Sequence, residues 1–174
     1  MKKKNIIKEL ANFVEPFYAQ NDPMHNFAHI KRVKRKVVFL KKQYKKIDNK
    51  LLNFLVYLHG HKARDTKKKR KKIMGMGYPA SYFKLINKPT TPEGKIVWDA
   101  NCLENVGRFG IKKSLRLEKH YKQTRKQTLN LVKKFIKRYK FYTPLGKKLG
   151  NPGIKIKRKW MNNELAKLKN KKRG

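Results

Sequence analysis

The sequence predicts an all-α fold, a compact helical domain with basic loop and tail extensions, and three observations carry that prediction. Apolar residues recur at helical spacing through most of the 174 residues. Strict alternation over strand lengths is scarce. The composition, 39% hydrophobic and 11% aromatic, supplies enough apolar material for a real core.

The first helix is expected from about Asn5 to Tyr18, with Ile6, Leu10, Phe13, Val14 and Phe17 on one face and Pro16 placed to kink its end. Asn21, Asp22 and Pro23 follow as a loop, and an Asp cap before a Pro is a standard helix start. The second helix is accordingly placed at about Pro23 to Tyr44. It sets His25, His29, Val33, Val37 and Leu40 on one stripe and Lys31, Arg32, Lys34, Arg35 and Lys36 around the rest. A third helix starts near Asp48, turns Leu51, Leu52, Leu55, Val56 and His59 inward, and ends near Gly60.

Residues 62–72 are nearly all basic: Lys62, Arg64, Lys67, Lys68, Lys69, Arg70, Lys71 and Lys72. With Gly75, Gly77 and Pro79 behind them they read as a loop that orders against phosphates and not in water alone. A helix then runs from about Glu93 to Val106, with Ile96, Ala100 and Leu103 on one face, and Gly107 and Gly110 punctuate the chain after it. A long helical stretch spans about Ile111 to Tyr139. The last helix carries Leu145, Leu149, Ile156, Trp160, Leu165 and Leu168, and Gly150, Asn151, Pro152 and Gly153 are predicted to kink or split it. The whole is expected as one domain over 1–174, with a basic loop at 62–92 and a basic tail at 169–174.

Charge dominates the functional reading. Lys and Arg number 49 against 10 Asp and Glu, a net charge of +39, so most cations lack an acidic partner within the chain. Solvated faces normally mix both signs, and a one-signed surface predicts a polyanionic partner. An anionic membrane fits poorly, because the cations are spread along the chain and the longest apolar run, Leu51 to Leu58, is far too short to span a bilayer. The start, with Glu9 and Glu15 in an amphipathic stretch, reads as no export signal. Cys102 is the single cysteine, which excludes an intrachain disulfide and a cysteine-based zinc cluster and suits a reducing compartment.

The expectation from charge is therefore an RNA-binding protein, most plausibly bound to rRNA in a cytoplasmic ribosome beside ribosomal proteins, with no cofactor. The expected RNA-binding groups are Lys31, Arg32, Lys34, Arg35 and Lys36, the eight cations of 62–72, Arg108, and Lys169, Lys171, Lys172 and Arg173. Tyr78, Tyr82 and Phe83 beside the basic run are candidates for base stacking, with core packing the commoner role. A DNA-compacting protein is the further alternative.

The histidines bear on the fold that carries this charge. His29 and His59 each fall on the apolar face of a helix, and the words around them carry a resemblance. His25-Asn26-Phe27-Ala28-His29-Ile30-Lys31-Arg32-Val33 resembles the opening motif of HD-domain metal-dependent phosphohydrolases, and Leu55-Val56-Tyr57-Leu58-His59-Gly60 resembles the helix bearing that family's His-Asp doublet. The segment from Gly94 to Gly107, with Trp98-Asp99-Ala100-Asn101-Cys102-Leu103-Glu104, is similar to the one holding the last metal-binding Asp. Thr143-Pro144-Leu145-Gly146 resembles the start of the closing helix.

The resemblance implies a helical fold in which a His, a His-Asp doublet and a distant Asp hold divalent metal that activates water against a phosphate ester. In this chain the doublet reads His59-Gly60, and the distant Asp falls on Asn101. Two imidazoles without a carboxylate form a poor site for a hard cation. The expectation is that the RNA-binding protein is built on an inactive HD-like fold, with vestigial ligand positions at His29, His59, Gly60 and Asn101. The competing expectation is an active phosphohydrolase on nucleotides or nucleic acid, using His25, His29, His59, His61 and Asp99 as a rearranged ligand set.

Overall fold

Eight α-helices account for most of the chain, and no strand occurs among the residues that the computed structural model describes, 5–60 and 62–170. In chain order they are α1 (Ile6–Ala19), α2 (Phe27–Leu40), α3 (Asn49–Leu58), α4 (Lys67–Gly75), α5 (Pro92–Leu103), α6 (Gly107–His120), α7 (Arg125–Arg138) and α8 (Pro144–Asn170). The all-α expectation holds. The chain divides into two units, Met1–Trp98 and Asp99–Gly174.

The first unit is built on three amphipathic helices. Leu10 and Val14 of α1, Ile30, Val33, Val37 and Leu40 of α2, and Phe54, Leu55 and Leu58 of α3 are all buried. Their spacing of three or four residues places each set on one side of its helix, so α1 and α2 can both pack on α3. Asp48 caps α3 as expected, accepting from the N–H groups of Lys50 and Leu51 at 2.8 and 3.0 Å. Its own N–H donates to the buried carboxylate of Glu93 at 3.0 Å.

Two starts differ from expectation. Asp22 caps a turn ahead of α2, accepting from Met24 and His25 N–H at 2.9 and 3.1 Å. Asn26 is the N-cap of α2, receiving Ala28 N–H at 3.1 Å. The basic stretch is likewise no structureless loop. Thr66 caps α4, and Lys69 and Lys72 of that helix lie 4.4 and 5.2 Å over the rings of Phe17 and Phe13. Cation–π contact and the buried Ile73 let this helix form without a phosphate polymer.

In the second unit α8 packs against both α6 and α7. Leu129, Val132, Ile136 and Met161 form its core, joined by Tyr139, Ile154, Trp160, Leu165 and Leu168. The stretch expected as one helix is two, because Gln123 and Thr124 interrupt it and Thr124 with Gln127 makes a capping box that starts α7. Conversely α8 runs through Pro152 unbroken. Its small residues have a packing role: a Cβ on Gly150 would run into the Phe141 ring, and one on Gly153 would lie 2.8 Å from Val106.

Candidate active site at the histidine pair

The first unit brings His29 of α2 and His59, the residue closing α3, face to face. Their Nε2 atoms are 3.2 Å apart, with ring centroids 5.3 Å apart in an edge-on arrangement. His59 Nδ1 lies 2.8 Å from the carbonyl of Val56, so in neutral imidazole Nδ1 holds the proton and Nε2 accepts. His29 Nε2 is then the N–H donor of the pair. A cation between the rings would need both lone pairs and would have to break this bond.

His25, one turn ahead of His29, is half-exposed and stands 5.9 Å from it, centroid to centroid. Its Nδ1 is 2.7 Å from Asp22 Oδ2, a tie the sequence motif did not reveal. Lys34 donates to the Tyr57 hydroxyl at 3.0 Å and lies over that ring. His61 lies outside the described residues, as do Lys171, Lys172 and Arg173.

The sequence resemblance puts the carboxylate position of the doublet at Gly60, and the space in front of that residue is taken. A Cβ there would lie 2.5 Å from the Tyr18 hydroxyl and 2.8 Å from Cε1 of the same ring. That hydroxyl donates to the Tyr57 carbonyl at 2.9 Å and accepts the Gly60 N–H at 3.1 Å. Burial pushes the Tyr18 phenol up to about 12, opposed by the Gly60 N–H and by Arg64. The phenol is therefore neutral near pH 7 and supplies no anionic oxygen.

In the second unit Asn101 sits half-buried on α5. Asp99, one of the proposed rearranged ligands, is fully buried and committed elsewhere. Its carboxylate accepts from Tyr142 N–H at 2.9 Å, Thr143 N–H at 2.7 Å and the Thr143 hydroxyl at 2.7 Å, which makes it a tertiary cap for the start of α8. Burial pushes the Asp99 carboxyl up, and those donors together with Lys147 pull it back. Among the described residues no three His, Cys, Asp or Glu side chains group so as to hold a metal ion. Among the described residues, Gly60 and Asn101 supply no carboxylate where the sequence resemblance implies one.

The other expected binding residues are scattered in role. Tyr78 is a core residue, 2% exposed, with its ring 5.2 Å from Phe54, and so is not available to stack on a base. Tyr82 and Phe83 also pack on Phe54. Arg64 donates to the Leu58 carbonyl, and Arg70 to the Arg64 carbonyl, both at 2.9 Å. Lys31 lies 5.3 Å over Phe27. Lys67, Lys68, Lys71, Arg108 and Lys169 are exposed.

The chain matches no sequence-family model and no curated protein. Solved structures do resemble it over nearly its whole length. A Lactobacillus plantarum protein aligns with TM-score 0.77 at 17% identity, covering 97% of this chain and 99% of its own. An HD-superfamily hydrolase from Bacillus thuringiensis aligns with TM-score 0.65 at 17% identity, covering 94% and 96%. The chain has the HD-superfamily fold. Bacillus subtilis YpgQ in complex with ADP aligns with TM-score 0.66 at 14% identity, covering 91% and 92%. These likenesses establish the HD fold and leave the fate of the catalytic centre to the residues themselves.

The expectation of a ribosomal, rRNA-binding protein is corrected by these neighbours, one of them named an HD-superfamily hydrolase and another held in complex with ADP. Net charge measured only an excess of cations and not their use. Part of that excess lies over aromatic rings, and Lys113 and Lys157 are buried within the second unit. No helix among the described residues is long and apolar enough to cross a membrane.

Proposed function

We propose that this protein is a nucleotide-binding member of the HD-type phosphohydrolase group in which metal-dependent ester cleavage has been lost. The nucleotide half of the reading is supported by the ADP complex of YpgQ, a protein of the same fold. His25, half-exposed and 5.9 Å from His29 between ring centroids, is a side chain of the kind that hydrogen-bonds a phosphate group. The catalytic half rests on one observation: Gly60 stands at the carboxylate position of the doublet, with the Tyr18 hydroxyl against it. A hydrolytic water in this fold is activated by a cation, and a cation of that kind needs the carboxylates that Gly60 and Asn101 do not supply.

Active phosphohydrolysis with a rearranged ligand set is the second reading, favoured by the naming of a Bacillus thuringiensis neighbour as a hydrolase. Phosphate release from nucleoside mono-, di- and triphosphates, assayed with Mn²⁺, Mg²⁺ or Co²⁺, separates the two. The first reading expects rates at the buffer blank for wild type and His29→Ala alike. Turnover in wild type that His29→Ala abolishes would replace it with the second.

A further inference from the structure

The end of α3 is where the sequence resemblance would set the His-Asp doublet, and here side chains of the described residues close that end. A helix leaves its last carbonyls without partners inside the helix. Around the terminus of α3, four consecutive carbonyls each receive a side-chain donor. His59 Nδ1 meets Val56 O at 2.8 Å, Tyr18 Oη meets Tyr57 O at 2.9 Å, Arg64 Nε meets Leu58 O at 2.9 Å and Asn87 Nδ2 meets His59 O at 3.1 Å. Besides His59 itself, the donors come from α1, from the short turn after α3 and from the segment ahead of α5, so one helix end gathers three other parts of the unit.

We infer that Tyr18 has replaced the carboxylate and its cation as the tie between α1 and the end of α3, so that the histidine pair folds without any divalent ion. Tyr18 is the member of this set that occupies the carboxylate's own space. Its hydroxyl makes two backbone bonds at once, to Tyr57 O and from Gly60 N–H, at a site only 4% exposed. A glycine at 60 is what allows the approach, since a Cβ would stand 2.5 to 2.9 Å from three atoms of the phenol. Phenol and carboxylate are thus mutually exclusive: the chain can hold one or the other beside His59. The inference concerns what assembles the site and does not depend on which ligand the site takes.

The test is thermal unfolding of the full chain with no nucleotide present, so that a failure here is separate from a failure of the nucleotide reading. Wild type should melt at the same temperature, within about 1 °C, in EDTA and in millimolar Mn²⁺, because no three ligand side chains group among the described residues and an ion stabilises only what it binds in the folded state. Tyr18→Phe keeps the ring and removes both hydrogen bonds, and should lower the melting temperature by roughly 3–8 °C. Gly60→Asp should be far more damaging in the wild-type background than in Tyr18→Ala, where the space has been cleared, a non-additivity expected of groups in contact. Stabilisation of wild type by Mn²⁺ of more than about 3 °C, reversed by EDTA, would overturn the inference. Equal damage from Gly60→Asp in both backgrounds would also overturn it, and if that variant does not fold at all the wild-type Mn²⁺ comparison still decides.

Discussion

Lys157 donates to the backbone carbonyl of Asn105 at 2.9 Å from a position only 3% exposed. Burial, reinforced by the like charge of Lys113, pushes its ammonium down to about 8 from an ordinary 10.5. Below pH 8 the folded and unfolded chains both hold the proton, and the cost of the buried charge is fully present. Between pH 8 and 10.5 the folded chain releases it while the unfolded chain keeps it, so stability contributed at this site rises with pH. The gain is on the order of 3 kcal/mol at about 1.4 kcal/mol per pH unit. Urea unfolding of wild type and Lys157→Met at neutral pH and near pH 10.5 checks it. The difference between the two proteins should move toward wild type as pH rises, and a difference independent of pH would contradict the assignment.

Asp99 caps the start of α8. Removing its carboxylate in Asp99→Ala leaves the N–H groups of Tyr142 and Thr143 and the Thr143 hydroxyl without their acceptor. The expected loss is about 3 kcal/mol, against about 2 kcal/mol for Thr143→Val, which removes the hydroxyl that donates to Asp99 and accepts the Gly146 N–H. Equilibrium denaturation of both variants reads the ranking. Equal losses would show that the carboxylate does not hold the start of α8.

The histidine pair makes a spectroscopic prediction. With Nδ1 of His59 donating to Val56 O, the neutral ring is the Nδ1–H tautomer, and His29 carries its proton on Nε2. Side-chain ¹⁵N correlation spectra above pH 8 should show those two opposite patterns, unchanged when Mn²⁺ or Zn²⁺ is added. Loss of the His29 Nε2–H signature on adding either ion would mean that the rings release their mutual bond to a metal.

A surface network gives a salt-dependent counterpart. Arg125 pairs with Glu118 at 3.0 Å and Glu164 at 2.9 Å, and Lys167 also reaches Glu164 at 2.9 Å, all partly exposed. Arg125→Ala should cost roughly 1 kcal/mol in dilute buffer and much less in 1 M NaCl, as screening shortens the reach of each pair to about 3 Å. Chevron or urea analysis at the two salt levels measures it.

Periodicity exposed most of the fold, because the apolar stripes of α1, α2, α3 and α7 repeat at three and four residues and nothing competes with that spacing. Boundaries were read less well where two cap residues stand close together. Asp22 and Asn26 both suit a helix start, and only the structure assigns the first to a turn and the second to α2. Pro152 was misread as a break because the glycines around it look like punctuation, whereas Gly150 and Gly153 admit Phe141 and Val106 against α8. The Lys67–Gly75 helix was hidden by its charge, since the aromatic rings that receive Lys69 and Lys72 lie some fifty residues earlier.

In the site itself, the meeting of His29 and His59 was legible from the motif words, which also put Gly60 and Asn101 where the resemblance expects carboxylates. Tyr18 was not, although it continues the buried register of Leu10 and Val14 four residues on. Nothing in its neighbourhood marks it as a partner for a glycine forty-two positions later. The misjudged function has a similar origin: unlike a motif, a count of lysines contains no geometry, and it weighed more than the shorter but ordered words around the histidines.

Calorimetric titration of ADP into the purified chain, first in EDTA and then with saturating Mn²⁺, tests the central claim that nucleotide recognition here is independent of a cation. The account predicts binding in both, with Kd values agreeing within about twofold, less than 0.5 kcal/mol apart. Binding that appears only with Mn²⁺, or tightens tenfold with it, would contradict the account.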